Sequence, residues 1–291
     1  MLVSAFVLCA AAVVFAFFLN VKATAKRIRK YSRETNARIS LLESKIEEGY
    51  AKITEDLDKK VSVDINDRLG LVERRSFRQL ESLLWLQREA DLHYPIGWTR
   101  GWAASPDFLL EIYQYVVRSR PQLILELGSG VSSIVIASAL RKLGTGRLIS
   151  IDHDENYGAQ TRLNLESAGL DRLSEVRIAS LKQVSSATVG MQSPGGSDWV
   201  WYDQAIFADI QNIDMVVIDG PPEKTGPLAR YPAVPLLIDK LNPRAMLFLD
   251  DAARAQEREI LGLWEQNFSV DVRFERDFEK GLARISFPSA S

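Results

Sequence analysis

A chain of 291 residues with 46% hydrophobic content is long enough for one sizeable α/β domain with an accessory segment, and too apolar to be disordered. Its net charge of -2 provides no broad positive field of the kind that nucleic-acid binding uses, so DNA and RNA are not expected partners. The one cysteine, Cys9, has no disulfide partner and no neighbours at metal-ligand spacing, and it reads as a small hydrophobe in an apolar run.

That run, Leu2 to Leu19, carries no charge. About 20 residues of helix rising roughly 1.5 Å each span a hydrocarbon core of about 30 Å, so the direct reading is one transmembrane helix. A cleaved signal peptide would place its positive charge before the apolar stretch. Here the charge follows, in Lys22, Lys26, Arg27, Arg29, Lys30 and Arg33, with no acid before Glu34. The positive-inside rule then leaves the C-terminal side in the cytoplasm.

From about Arg33 to Gly70 charges of both signs alternate, and apolar residues recur at Ile39, Leu42, Ile46, Tyr50, Ile53, Leu57 and Val61. This is close to helical periodicity and predicts a long amphipathic helix. Its mean spacing exceeds the heptad interval and Gly49 interrupts it, so a helix follows more directly than a coiled coil. Self-association through this stalk stands against a solvated spacer. A second helical stretch, Phe77 to Glu89, is expected to pack on the following domain through Leu80, Leu83, Leu84 and Trp85. His93, Tyr94, Trp98 and Trp102 fall in a Pro- and Gly-punctuated loop where the aromatics either pack or line a pocket mouth. The resulting organisation is a transmembrane helix at 1-21, a basic juxtamembrane segment and amphipathic helix at 22-75, and a catalytic domain at 76-291.

The segment QLILELGSGVSSIVIASAL, Gln122 to Leu140, reads as a strand, a tight turn on Gly128 and Gly130, and a helix. Glycines at such a turn let backbone approach a cofactor at the C-terminal edge of the strand. The next strand, Arg147 to Ile151, ends at Asp152, where a carboxylate can accept from both ribose hydroxyls. Alternating elements follow: a helix near Asn156 to Ala168, strands at Glu175 to Ala179 and Ile213 to Ile218, and a helix near Ala233 to Leu241. A strand Ala245 to Leu249, a helix carrying Ile260, Leu261, Trp264 and Phe268, and a closing strand pair near Val270 to Phe274 and Leu282 to Phe287 complete the series. Regular β-α alternation implies a mostly parallel sheet covered on both faces, and the closing pair has too short a connection to be anything but antiparallel. The stretch Ser185 to Ser197 reads as a flexible lid or surface loop.

Four stretches, ILELGSGVSS, SIDHDENYGAQTRLNLESAGL, IDMVVIDGPPEKTGPLARYP and LFLDDAARAQEREI, occur in order between about Arg100 and Phe287. Together they resemble the class I S-adenosylmethionine-dependent methyltransferases, and within them the group labelled methyltransferase domain 24. The resemblance implies a Rossmann-like seven-stranded sheet with a terminal antiparallel strand. It implies that Glu126, Gly128, Ser129 and Gly130 form the first cofactor motif, that Asp152 binds the ribose, and that His153 lies near the adenosine. A nicotinamide-dependent dehydrogenase shares the first β-α-β logic, but its third glycine is replaced here by Ser133, and no substrate domain follows.

Ligands of open α/β sheets bind at the carboxyl ends of strands. Asp219 ends the strand MVVID, and Asp250 with Asp251 ends AMLFLDD. These carboxylates could converge on Mg2+ or another divalent cation, which would lower the pKa of an acceptor hydroxyl. The cation-dependent O-methyltransferases resemble this arrangement, although they carry an amide where Asp251 stands. Without a metal, Asp219, Asp250 or His153 is the expected base, and Lys224 a weaker one in an exposed turn. The expected function is methyl transfer, to oxygen rather than nitrogen, on a small molecule or a sugar or lipid-linked acceptor. The rivals are a membrane-tethered scaffold without turnover and an NAD(P)-binding oxidoreductase.

Overall fold

The computed structural model describes the backbone of residues 2–90, 92, 97, 99, 101–194, 196 and 198–288, and side chains from Phe15 onward within them. His93, Tyr94, Trp98 and Cys9, with most of the apolar run expected to cross a membrane, therefore lie outside the described side chains. Among the described residues no helix is long and apolar enough to cross a membrane. The chain divides into two compact units, Met1–Val72 and Glu73–Ser291.

The first helix, α1 (Leu2–Ala90), runs without a break through Gly49 and through the stretch expected to be a separate second helix. One glycine costs about 1 kcal/mol relative to alanine, too little to end a helix with strong formers on either side. Its last turns bury Gln79, Ser82, Leu86 and Ala90. The expectation that Leu80, Leu84 and Trp85 pack on the domain is corrected: all three are exposed, Leu84 by 67%. The buried residues follow the 3–4–4 spacing of one helix face, and Leu80 and Leu84 lie about 115° and about 155° from its centre. Arg78 Nη1 donates to the carbonyl of Asp277 at 2.9 Å, and the Gln79 side-chain carbonyl accepts from Asp107 N at 3.2 Å.

The domain then alternates α2 (Pro106–Ser119), β1 (Leu123–Leu127), α3 (Val131–Leu143), β2 (Arg147–Asp152), α4 (Glu155–Ser167) and β3 (Ser174–Ile178). A hairpin follows: β4 (Leu181–Val184), a short helix α5 (Ser186–Val189) and β5 (Trp199–Tyr202). The chain closes with β6 (Ile213–Ile218), α6 (Ala233–Leu237), β7 (Leu241–Leu249), α7 (Ala255–Asn267), β8 (Asp271–Glu275) and β9 (Leu282–Ser286). The seven-stranded sheet has the order β3-β2-β1-β6-β7-β9-β8, while β4 and β5 form a separate antiparallel pair. Pairing is parallel from β3 to β7, and β9 runs antiparallel between β7 and β8. The antiparallel strand is thus last in the chain and one place in from the sheet edge.

Runs such as LILEL and IDMVVI are apolar nearly throughout because both sheet faces are covered. One core layer gathers the end of α1, α2 and α3, and the other gathers α6, α7 and the β4–β5 hairpin. The hairpin was not foreseen from the sequence. The stretch expected to be a flexible lid instead contains α5, with Val189 buried, and Trp199 Nε1 donates to the carbonyl of Met191 at 2.7 Å. Residues 195 and 197 of it lie outside the described residues.

Strand order reverses between β1 and β6. Such a switch point opens a crevice at the carboxyl ends of the two strands, and this is where Gly128 and Asp219 stand.

Candidate active site

The cofactor side begins at Glu126, fully buried inside β1. Its Oε2 accepts from Ser133 Oγ and Ser150 Oγ, each at 2.5 Å, and Ser133 Oγ in turn accepts from Gly130 N at 3.0 Å. Ser133, which stands where a dehydrogenase would carry its third glycine, therefore ties the turn to the acid. Burial pushes the Glu126 carboxyl up to about 7, against the lowering effect of Ser132, Ser133 and Ser150. Glu126 Oε1 is buried without a hydrogen-bond partner.

Gly128 has φ 96°, and a Cβ there would sit 3.3 Å from the backbone of Asp219 and Gly220. A side chain there would be strained by conformation and crowded against backbone. Gly128 N donates to Ile151 O at 2.8 Å and Asp219 N to Leu127 O at 2.9 Å, which locks the ends of three strands together. Asp152 is held by three donors: Ser129 N (3.0 Å) and Ser129 Oγ (2.6 Å) on one oxygen, and Asp154 N (2.9 Å) on the other. A ribose at Asp152 would take over the bond now made by the Ser129 hydroxyl. His153 Nδ1 lies 3.6 Å from Asp152 Oδ1, so His153 stands beside the acid expected to bind the ribose.

The acids of the fourth and fifth parallel strands do converge. Asp219, Asp250 and Asp251 each bring a carboxylate oxygen within 4.8 Å of the others. Their spacing is that of a group that could hold a cation, but a guanidinium already serves this cluster. Arg230 Nη2 donates to Asp219 Oδ1 at 3.1 Å and Asp251 Oδ2 at 3.0 Å, and Nη1 donates to the carbonyl of Asp250 at 2.8 Å. Arg254 and Lys280 add positive charge at Asp251, at 3.0 and 3.8 Å. Asp250 is pushed well above the ordinary carboxylate range, first by burial and then by Asp219 and Asp251. An acid whose burial disfavours its charged form and two acids already paired to an arginine are a poor donor set for a hard dication, so these residues do not fit the metal.

Asp219 keeps 19% of its side chain exposed, unlike Asp250 and Asp251. Burial raises its carboxyl to about 6, with Arg230 opposing and Asp251 adding to the rise. It is the member of the cluster open to the crevice.

Two residues that sequence reasoning missed complete the site. Arg230 had a signal: it is the one charge between Lys224 and Asp239, inside an otherwise apolar stretch. Tyr202 had none, since its strand was not recognised. Its hydroxyl is buried without a partner and lies against Gly220, where an added Cβ would collide with it. Burial raises the phenol well above its ordinary value, and the charges of Asp152, Arg230, Asp219 and Glu126 all act on it, which puts it between the cofactor acids and the Asp–Arg cluster. Trp102 is 84% exposed, neither packed nor enclosed, with the Lys224 ammonium 5.8 Å from its ring centroid. Lys280 bonds the carbonyl of neighbouring Ala103 at 2.9 Å, which brings this loop beside the Asp251 cluster.

Residues 125–252 match the profile of a family described as a methyltransferase domain. No curated protein sequence matches the chain. Among solved structures, an SAH-bound methyltransferase from Podospora anserina is similar at 12% identity with a TM-score of 0.53, over 74% of this chain and 94% of that one. A methyltransferase from Geobacter sulfurreducens is 16% identical over 72% of this chain and 89% of its own, with a TM-score of 0.47. An O-methyltransferase from Bacillus cereus, in complex with SAH, is 17% identical over 72% and 90%, with a TM-score of 0.49. The Podospora likeness establishes the fold, and the family match spans the Gly128 turn, the acid cluster and every residue between them. Residues 125–252 of this chain thus match a methyltransferase domain, carried on a methyltransferase-like fold.

Proposed function

We propose that the chain is a membrane-anchored O-methyltransferase acting at the cytoplasmic face on a small molecule or a sugar or lipid-linked acceptor. The anchor and its orientation rest on the uncharged run Leu2 to Leu19 and the six basic residues after it. The observation that carries the chemistry is Asp219, an acid with a raised pKa, open to the crevice and in backbone contact with the Gly128 turn.

The residues present fit S-adenosylmethionine. Glu126 Oε1 and the Tyr202 hydroxyl are buried polar atoms without partners, and Asp152 offers a carboxylate. When bound, this cofactor supplies an electrophilic methyl on sulfur. Asp219, with a pKa of about 6, is mostly ionised at neutral pH and takes the proton from an acceptor hydroxyl. Arg230 keeps the adjoining acids from repelling the charge that forms on Asp219 and on the acceptor oxygen. Exposed Trp102 offers an aromatic face of the kind that stacks on a sugar ring, which favours a glycan acceptor. No step passes through a metal.

One observation favours the rival scaffold reading: Asp152 is already satisfied by Ser129 and Asp154. The test is calorimetric titration of the full chain in mild detergent with S-adenosylmethionine and, separately, NADH, each with and without Mg2+, followed by transfer of labelled methyl to cell membrane extracts. Binding of S-adenosylmethionine alone, indifferent to Mg2+, with label in an alkali-stable ether, supports the proposal. Binding without transfer to any fraction supports the scaffold, and NADH binding overturns both.

A further inference from the structure

α1 carries an apolar line whose repeat is eleven residues. Ile28, Ile39, Tyr50 and Val61 are spaced by eleven, and so are Tyr31, Leu42 and Ile53. Thr35, Ile46 and Leu57 form the third series, so nine of these ten positions from 28 to 61 are large apolar residues. All nine are between 47% and 70% exposed in a helix that continues unbroken on both sides. Eleven residues over three turns is about 3.67 residues per turn, a repeat that keeps its seam facing a partner by winding right-handed. The three series span only about 60° of the helix surface.

We propose that α1 pairs in parallel with a second copy of this chain over residues 28–61, as a right-handed coiled coil. A partner helix with a heptad or irregular seam drifts out of contact within these repeats, whereas a second copy carries the matching one. Charge fixes the direction. One flank of the seam presents Asn36, Glu47 and Asp58, and the other presents Arg38, Gly49 and Lys60. Opposite flanks face each other in a parallel pair, so Lys60 meets Asp58 of the second copy, while an antiparallel pair sets acids against acids. A membrane surface is the poorer occupant: an interfacial helix has a broad apolar face rimmed by Lys and Arg, and this narrow seam has Glu43, Glu47 and Asp58 beside it.

The experiment uses the full chain with Cys9→Ser, in mild detergent, and single cysteines placed along α1. Ile39→Cys and Val61→Cys should each cross-link to the same position of a second copy, and Lys60→Cys, where a heptad register from residue 39 would put its seam, should not. Sedimentation should show an oligomer that Ile46→Glu with Ile53→Glu converts to monomer, while Leu41→Glu with Val63→Glu, on the opposite face, leaves it intact. Cross-linking at 60 rather than 61 overturns the right-handed register, and cross-linking at neither 39 nor 61 overturns parallel pairing. A monomeric parent chain overturns the proposal, and protection of the cysteines at 39 and 61 from aqueous thiol reagents by lipid vesicles alone reassigns the face to a membrane.

Discussion

Arg230 holds Asp219 at both ends: its Nη2 lies 2.8 Å from the Asp219 carbonyl oxygen and 3.1 Å from its carboxylate. One guanidinium nitrogen thus fixes the end of β6 and orients the acid that the crevice exposes. Removing a partner from a buried charge network strands the rest, at about 3–5 kcal/mol. Arg230→Met is expected to lose stability on that scale in urea denaturation. Arg230→Lys should recover little of it, because an ammonium cannot reach Asp219, Asp251 and the Asp250 carbonyl with a planar fork.

Asp219 should set the acid limb of the rate profile. With its pKa raised to about 6, kcat/KM is expected to rise tenfold per pH unit below that value and to flatten above it. Asp219→Asn should lower kcat by about 10²–10⁴ and remove that limb, while cofactor affinity by calorimetry changes little. A variant that keeps the limb places the base elsewhere.

Glu126 makes a prediction about stability. Its folded pKa of about 7 lies above the ordinary 4.5, so the protonated acid favours the fold below about 4.5, and this contribution is lost as pH rises to about 7. The loss amounts to roughly 3 kcal/mol for the cofactor-free protein. Glu126→Gln should lack this pH dependence, and so gain on the parent chain between those pH values and hold a constant lead above them. Urea midpoints across pH 4 to 8 are the measurement.

Tyr202 separates folding from function. Its hydroxyl is buried without a partner, so Tyr202→Phe should leave the melting temperature of the cofactor-free protein unchanged or raised, within about 1 kcal/mol. Transfer should fall by tenfold or more if the hydroxyl bonds cofactor or acceptor. Thermal melts with and without S-adenosylmethionine read both effects: the parent chain should gain more from cofactor than the variant.

The elements with the clearest physical signature were legible. β1, β2 and β6 are apolar runs covered on both faces, and the Gly128 turn and Asp152 follow them at fixed intervals, so their residues could be named from the sequence. The β4–β5 hairpin was not, because each strand has four residues, too few to establish alternation, and the connection looks like a surface loop. The acids were visible as residues ending strands, but the identity of the cation among them was not. Arg230 reaches the cluster from the loop ahead of α6, and no local pattern reports a contact made across 11 to 21 residues. Leu80 and Leu84 show the opposite failure, a convincing apolar pattern on a helix whose other face is buried.

Tyr202 hangs from a two-stranded ribbon that shares no ladder with the seven-stranded sheet. Its position over Gly220 is therefore set by packing, through contacts such as the Trp201–Phe207 and Trp199–Tyr231 stacks, and not by the register that fixes Gly128 and Asp152. Lengthening or trimming residues 185–198 moves that hydroxyl while every strand of the main sheet keeps its partner. The fold thus lets the Tyr202 hydroxyl be repositioned independently of the strand register that fixes Gly128 and Asp152.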